Sequence, residues 1–272
     1  MKVIFVGGGN MANAMIGGLT ARGIAAAEIG AVEINADARS VLSNKYGVQV
    51  YETVASAPLN LCDVLILAVK PQQLRAVALE IGPRLSGALV LSIAAGVRVN
   101  DLSRWLGGYK KIVRSMPNTP ALIQAGVTGL FAPATVDAAD RRLAEETVAT
   151  IGSSFWVKDE ALMDSVTAVS GSGPAYVFYF MEALQRGALE FGFSPDAARQ
   201  MALDTVLGAA KLAAAGGDSF EVLRQRVTSK GGTTEAALKA MIESTVADGI
   251  VKGMKAAESR GIELGELLGK EG

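Results

Sequence analysis

The pattern of apolar and polar positions changes character near Lys158. Before that point, short apolar runs alternate with segments of helical spacing. The runs predicted as strands are Lys2–Val6, Ile29–Ile34, Val64–Val69, Leu89–Ile93, Ile112–Arg114, a weaker Val127–Phe131, and Ser154–Val157. The predicted helices are Met11–Arg22, Ala38–Tyr46, Gln72–Leu85, Val99–Leu106 and Asp137–Ile151. Strands that are apolar throughout are covered on both faces, so the alternation predicts a parallel, doubly wound α/β sheet of the Rossmann type.

After Lys158 the pattern is helical and rich in alanine, without convincing strands. The predicted helices are Asp159–Val169, Pro174–Phe191, Ser194–Ala215, Asp218–Gln225, Thr234–Asp248 and Val246–Leu268. Glycines separate several of them, as expected at helix ends. We therefore predict a Rossmann-type α/β domain at 1–158 and an all-α domain at 159–272.

Charge and composition narrow the possible functions. The 272 residues carry 26 basic and 27 acidic side chains, a net charge of -1, which offers no field to attract nucleic acid or an anionic membrane. The absence of histidine excludes Ser-His-Asp and Cys-His hydrolases, and we expect no metal site. The one cysteine, Cys62, is predicted to be a semi-buried small residue.

Hydropathy bears on location and assembly. No apolar run approaches the roughly 20 residues that cross a bilayer, and the run before Gly7 is too short for a signal-peptide core. We expect a soluble, cytoplasmic protein. Half of the residues are hydrophobic and the mean hydropathy is +0.32, which is high for a soluble monomer, so we expect apolar surface to be buried between subunits.

The first strand runs into a glycine-rich turn. Gly7, Gly8, Gly9, Asn10, Met11 and Ala12 form a G-x-G-x-x-A motif that opens a helix. In such a motif Gly7 permits the tight turn, Gly9 admits a pyrophosphate to the backbone, and Ala12 lets the helix pack on the strand. Its place in a βαβ unit predicts dinucleotide binding; the alternative is a glycine-rich turn without a ligand.

The end of the second strand bears on the choice of coenzyme. Glu33 is placed to bind the adenosine ribose hydroxyls and would repel the 2′-phosphate of NADP. Asn35 and Arg39 could offset that repulsion or merely face solvent. We expect both NAD(H) and NADP(H) to be accepted.

Three later turns follow strands and should face the same crevice. Their candidate residues are Ala68, Lys70, Pro71, Ala94, Ala95, Gly96 and Asn118. The small residues would leave room for the nicotinamide ribose. Lys70 could bind carbonyl groups or phosphate, or be a solvated strand-end lysine, and the turn around Asn118 could be only a stiff loop.

A second polar loop, Val227–Thr234, comes directly before a helical pattern that starts near Glu235. It combines hydroxyl groups, the ammonium of Lys230 and the flexible backbones of Gly231 and Gly232. Exposed N–H groups at a helix start carry partial positive charge, so the loop predicts a socket for a small anion such as a carboxylate. The alternative is an ordinary loop with a threonine N-cap. Together with a dinucleotide site, the socket suggests a reductase of a small acid.

Five segments, in this order, resemble the pyrroline-5-carboxylate reductase family along essentially the whole chain. They are residues 7–12, 68–72, 116–120, 169–176 and 227–234. The resemblance implies an NAD(P)H-dependent oxidoreductase acting on a C–N bond, which reduces 1-pyrroline-5-carboxylate to proline as the last step of proline biosynthesis. It also implies a helical domain that interlocks with a second subunit, in a homodimer that often assembles into a decamer.

The same resemblance assigns roles to individual residues. Thr234 would be the catalytic residue whose hydroxyl hydrogen-bonds the ring nitrogen. The carboxylate cradle would consist of Ser229, Lys230, Gly231, Gly232 and Thr233, with Glu160 and Thr167 beside the substrate and nicotinamide. Lys70, Ala95, Asn118 and Arg226 would lie at or near the coenzyme. Lys230 stands where the family frequently has proline, a departure that bears on the geometry of the turn.

Two rival functions remain at this point. β-Hydroxyacid dehydrogenases share the two-domain plan but carry a catalytic lysine in the helix after their glycine-serine segment, and residues 176–180 contain none. A regulatory protein that binds dinucleotide without turnover would not need the anion socket. An imine reductase fits a chain without histidine, because a protonated cyclic imine is already electrophilic and needs mainly positioning.

Overall fold

The computed structural model describes residues 1–270, which form eight strands and eleven α-helices. The strands are β1 Val3–Val6, β2 Ile29–Val32, β3 Gln49–Tyr51, β4 Val64–Leu67, β5 Leu89–Ser92, β6 Ile112–Met116, β7 Gly126–Phe131 and β8 Gly152–Trp156. The helices are α1 Asn10–Ala21, α2 Ala36–Tyr46, α3 Pro71–Ile81, α4 Val99–Trp105, α5 Ala138–Val148, α6 Leu162–Val166, α7 Gly173–Glu190, α8 Pro195–Ala215, α9 Phe220–Arg226, α10 Thr233–Glu243 and α11 Val246–Lys270. A π-helical turn, Thr167–Gly171, follows α6.

The strands form one sheet in the order β3-β2-β1-β4-β5-β6-β7-β8. Its first six strands are parallel and have the order of a dinucleotide-binding fold, so the predicted Rossmann-type architecture is confirmed. The sheet is parallel except at one pair of strands, because β7 runs antiparallel to β6. The connection at 117–125 is too short for the crossover that a parallel neighbour requires. Strand β3 was missed because it is short and only partly buried.

Apolar side chains cover both faces of the sheet. Alternation along β1 sends Val3 and Phe5 towards one face, where they pack with residues of α1, α2 and α5. Ile4 and Val6 point towards the other face and pack with residues of α3 and α4. This two-sided burial explains the continuously apolar strands. The parallel pairing of β1 with β2 and β4 places the carboxyl ends of these three strands at one edge of the sheet.

The chain divides into two compact units. The sheet unit comprises residues 1–172 together with 256–270 of the described chain, and the helical unit comprises Gly173–Lys255. The domain boundary expected after Lys158 lies just beyond β8, whereas the compact units divide only after Ser172. Helix α6 stays with the sheet unit because Asp164, which is 2% exposed, accepts hydrogen bonds from Arg98 at 2.6 Å and Arg114 at 3.3 Å.

Two helix boundaries differ from expectation. Helix α7 begins at Gly173 rather than at the expected Pro174, and the preceding Ser172 has a right-handed helical backbone whose N–H donates to the Thr167 carbonyl. The overlapping helices expected at 234–248 and 246–268 are separate, because Thr245 has a φ of 52° and interrupts the helical path.

Very few side chains of the helical unit are buried from solvent. Only Ala198 and Ala202 are buried within residues 173–255. Aromatic side chains of α7 are exposed to solvent, Phe178 by 58% and Tyr179 by 76%. Exposed apolar surface of this extent fits contact with another protein subunit. As a separate finding, no helix within residues 1–270 combines the length and apolarity needed to cross a membrane.

Cys62 is a buried structural residue, which agrees with its prediction as a semi-buried small side chain. The side chain is buried, and its thiol donates a hydrogen bond to the Leu59 carbonyl. Burial raises the pKa of the Cys62 thiol to about 11, with the nearby Asp63 carboxylate adding to the shift. The thiol is protonated at neutral pH, which excludes it as a nucleophile.

Candidate active site

The glycine turn after β1 has the geometry expected of a dinucleotide motif. Gly7 has a φ of +103°, and a Cβ there would lie 2.6 Å from the Ala68 carbonyl oxygen, so only glycine fits. Gly9 has an extended backbone with a φ of -70°, and a Cβ there would meet nothing within 4 Å. Ala12 is buried in the core beneath the turn. The turn thus leaves open space at the N-terminus of α1, where a pyrophosphate would be held.

A cavity of about 750 Å³ opens at this edge of the sheet. It is lined by Val6, Gly7, Gly8, Gly9, Val32, Glu33, Ile34, Asn35, Glu52, Thr53, Val54, Ala68, Val69, Lys70, Gln72, Gln73, Ala76, Val77 and Glu80. The lining comes from the carboxyl ends of neighbouring strands, where open α/β sheets bind their ligands. Its volume suits a cofactor.

The predicted coenzyme residues divide into two groups. Gly7, Gly8, Gly9, Glu33, Ala68 and Lys70 line the cavity, whereas Asn10, Met11, Ala12, Pro71, Ala94, Ala95, Gly96 and Asn118 are outside its lining. Asn118 has a structural task, since its amide donates to the Ser170 carbonyl at 3.0 Å and accepts from the Val127 N–H at 2.9 Å. The contribution of Glu52, Thr53 and Val54 was missed together with β3, which precedes them.

Glu33 is held by the backbone on both of its carboxylate oxygens. One oxygen accepts a hydrogen bond from the Gly8 N–H at 2.8 Å, and the other accepts one from the Asn35 N–H at 2.8 Å. Arg39 does not pair with this carboxylate. Its guanidinium donates to the carbonyl groups of Glu33 at 2.7 Å and Ile34 at 2.9 Å. The acid is thereby fixed in orientation at the end of β2.

Glu160 and Thr167, both expected beside the substrate, make contacts within the sheet unit. The Glu160 carboxylate accepts a hydrogen bond from the Val99 N–H at 2.7 Å and lies 3.3 Å from the Arg114 guanidinium. The Thr167 hydroxyl donates to the Met163 carbonyl at 2.8 Å. The contacts of Glu160 fix its side chain beside β6 and the start of α4, whereas the contact of Thr167 lies within its own helical segment.

The late polar loop forms a tight turn directly before α10. The Gly232 N–H donates to the Ser229 carbonyl at 3.0 Å, and Gly231 has a φ of +72°. Lys230 therefore occupies the second position of a β-turn, which favours proline but accepts most residues, so its departure from the family pattern is sterically harmless. The Gly231 N–H is engaged by the Glu235 carboxylate at 2.6 Å.

The start of α10 is left uncapped by side chains. Helix α10 begins at Thr233 with Gly232 as its N-cap, so the alternative of a threonine cap is wrong. Across residues 1–270, no hydrogen bond engages the Thr233 or Thr234 hydroxyl. Both hydroxyls stand beside the N–H groups of the first turn, where the helix dipole favours an anion.

Arg226, expected near the coenzyme, is paired elsewhere in the helical unit. Its guanidinium binds the Asp218 carboxylate through two nitrogens, one of them at 3.1 Å. This pair ties the end of α9 to the segment that precedes it. The cavity at the glycine turn belongs to the sheet unit, and the polar loop before α10 belongs to the helical unit.

Comparison with known proteins covers nearly the whole chain. A family model described as pyrroline-5-carboxylate reductase dimerisation matches residues 160–264, and one described as NADP oxidoreductase, coenzyme F420-dependent, matches residues 2–96. A curated pyrroline-5-carboxylate reductase from Pseudomonas aeruginosa is 42% identical over 270 residues, which cover 99% of this chain and 98% of the relative.

Solved structures agree with the sequence relatives. The structure of a pyrroline-5-carboxylate reductase from Coxiella burnetii has a TM-score of 0.91 and 41% identity, covering 97% of this chain and 98% of that one. The pyrroline carboxylate reductase of Plasmodium falciparum, with NADP bound, has a TM-score of 0.87 and 25% identity at the same coverage. The chain therefore belongs to the pyrroline-5-carboxylate reductase family.

Proposed function

We propose that this chain reduces 1-pyrroline-5-carboxylate to L-proline by hydride transfer from NAD(P)H, as the last step of proline biosynthesis. The observation that carries the proposal is the uncapped start of α10, with two free threonine hydroxyls, in a chain that also has a dinucleotide cavity. An imino acid offers a carboxylate for the helix start and a C=N bond for the hydride.

The coenzyme is NAD(P)H, and the cavity supplies the means to hold it. Bound in this cavity, the coenzyme provides the hydride. The open face of Gly9 and the N-terminus of α1 would receive the pyrophosphate. Glu33 would bind the adenosine ribose, and Lys70, the N-terminal flanking residue of α3, offers a positive charge near the phosphates. In this proposal the residues of the cavity hold and orient the coenzyme.

The substrate is assigned to the loop before α10. The N–H groups of Thr233 and Thr234 and the Thr233 hydroxyl would bind its carboxylate, with Ser229, Lys230, Gly231 and Gly232 shaping the turn. The Thr234 hydroxyl would hydrogen-bond the ring nitrogen. Glu160 and Thr167 are assigned to the substrate's surroundings. Catalysis then consists of holding the reacting atoms about 3–3.5 Å apart, since the protonated imine needs no further acid.

The protein is an oligomer that acts on a small molecule. The family model for dimerisation supports the oligomer. The helical unit supports it as well, because only two of its side chains are buried within the single chain. The finer assignment is a homodimer, which in turn builds a decamer, located in the cytoplasm. The exposed aromatic residues of α7 would then lie between subunits.

The proposed activity is tested by following coenzyme oxidation. We expect the protein to oxidise NADH or NADPH with 1-pyrroline-5-carboxylate and to release proline. We expect no reduction of NAD⁺ or NADP⁺ with a 3-hydroxyacid. Turnover of the hydroxyacid alone would establish the β-hydroxyacid dehydrogenase function, and coenzyme binding without either activity would indicate a regulatory protein.

Gly9→Ala is expected to weaken coenzyme binding while leaving the fold intact. Its Cβ meets no protein atom, so the melting temperature should not change, but the methyl group occupies space that the pyrophosphate needs. This overpacking should make the Kd for the coenzyme about 10–100 times larger than in the wild type. Calorimetric titration measures the change. Gly7→Ala is the contrasting variant, because its Cβ clashes with Ala68 and should lower the melting temperature. Unchanged affinity in Gly9→Ala would place the pyrophosphate elsewhere.

A further inference from the structure

The coenzyme cavity carries an uneven distribution of charge. Three carboxylates line it, from Glu33, Glu52 and Glu80, against the single ammonium of Lys70. Glu33 and Lys70 follow β2 and β4, which lie on opposite sides of β1. The positive charge is therefore on the side of α3, and the end of β2, where an adenosine ribose would be bound, is acidic.

The Glu33 carboxylate is fixed and still has capacity to accept hydrogen bonds. Each of its oxygens takes one backbone N–H, from Gly8 or Asn35, at 2.8 Å. An ionised carboxylate has about four acceptor sites, so further sites remain for the hydroxyl groups of a ribose. Rotation away from a 2′-phosphate would break both backbone hydrogen bonds. Glu33 is thus a rigid acceptor for a free 2′-hydroxyl.

Arg39 is a base beside Glu33 that could neutralise a 2′-phosphate, and one of its terminal nitrogens is committed to the backbone. That nitrogen donates to the carbonyls of both Glu33 and Ile34, while the other terminal nitrogen lies 3.7 Å from the Glu52 carboxylate. The side chain is 19% exposed. Turning the guanidinium towards a phosphate would leave two backbone carbonyls without this donor, a cost that the structure does not compensate.

We propose that this chain binds NAD(H) in preference to NADP(H), and that Glu33 sets this preference by accepting from the 2′-hydroxyl and repelling a 2′-phosphate. The inference rests on the coenzyme site of the proposed function but needs no substrate. It distinguishes this chain from the Plasmodium falciparum relative, whose structure contains NADP.

The test is calorimetric titration of the full chain with NAD⁺ and NADP⁺ and, to remove the nicotinamide, with ADP-ribose and its 2′-phosphate. We expect each 2′-phosphorylated ligand to have a Kd at least about 10 times larger than its partner, the effect of one unscreened like charge at close range. The ratio should fall as salt is raised, because screening weakens the repulsion. A wild-type ratio of one or below would overturn the proposal.

Glu33→Gln is the decisive variant and Glu80→Gln is its matched control. Both remove one negative charge from the cavity lining, but only Glu33 is held by backbone N–H groups at the end of β2. We expect Glu33→Gln to lower the Kd ratio by about tenfold and Glu80→Gln to change it less than about threefold. Equal effects of the two variants, or none from Glu33→Gln, would contradict the assignment.

The inference can still be tested if Glu33→Gln fails to fold. Circular dichroism identifies that outcome, and Glu33→Ser, which removes the carboxylate with less bulk, then replaces Glu33→Gln in the same comparison. The wild-type ratio and its dependence on salt need no variant. If the chain binds NAD⁺ selectively but does not reduce 1-pyrroline-5-carboxylate, the proposed function fails and the preference stands.

Discussion

Replacing Thr234 with alanine is expected to lower turnover by roughly 10- to 10³-fold, the range for one hydrogen bond that positions the reacting group in the transition state. The hydroxyl is assigned to the ring nitrogen of the substrate, and no hydrogen bond within the described chain engages it. Steady-state measurement of kcat and KM with 1-pyrroline-5-carboxylate checks the expectation. Unchanged constants would remove Thr234 from the mechanism.

Two further variants at this position separate the hydroxyl from the shape of the side chain. Thr234→Val keeps the branched shape without the hydroxyl and should lose as much activity as Thr234→Ala. Thr234→Ser keeps the hydroxyl and should retain most of the activity. Helix content should be unaffected, because Gly232 is the N-cap of α10 and no side chain caps it. Loss of activity in all three variants would indicate a packing role instead.

Replacing Asp164 with alanine is expected to lower the free energy of unfolding by about 3–5 kcal/mol, the cost of removing one partner from a buried ion pair. Asp164 is 2% exposed and binds two guanidinium groups, from Arg98 and from Arg114, the latter itself 3% exposed. Without the carboxylate, Arg114 keeps only Glu160 at 3.3 Å as an ionic partner in the described chain. Urea denaturation at neutral pH measures the difference.

Glu263→Ala is the matched control for this prediction. It also removes a carboxylate from an arginine pair within the sheet unit, but Arg260 and Glu263 are 57% and 59% exposed. Exposed pairs contribute about 0–1 kcal/mol, so this variant should unfold almost as the wild type does. If Asp164→Ala cost no more than Glu263→Ala, the buried cluster would not hold α6 on the sheet.

Most of the dinucleotide fold could be predicted from sequence because most of its strands and its glycine turn have a local signal. Continuously apolar runs mark β4 and β5, and the glycines at 7–9 mark the turn. Strand β3 has no such signal, since it is stabilised by pairing with β2 rather than by its own pattern. The cavity residues that follow it, Glu52 to Val54, were missed for the same reason.

The candidate substrate site was predictable in part. The glycines of the late loop and the helical pattern after it indicate a helix start, which the structure places at Thr233. Engagement of the Gly231 N–H by Glu235 depends on a side-chain rotamer and cannot be deduced from spacing. The buried ion cluster around Asp164 joins residues far apart in the chain, so no local pattern predicts it.

Because very few side chains within residues 173–255 are buried, the stability of the helical unit depends on more than the single chain. A segment whose only fully covered side chains are two alanines gains little hydrophobic stabilisation as a single chain. Further stabilisation is expected from contact with other subunits of the oligomer, and it then depends on the protein concentration. The helical unit should therefore unfold more readily when the protein is diluted, whereas the sheet unit, which has its own core, should be less sensitive to concentration.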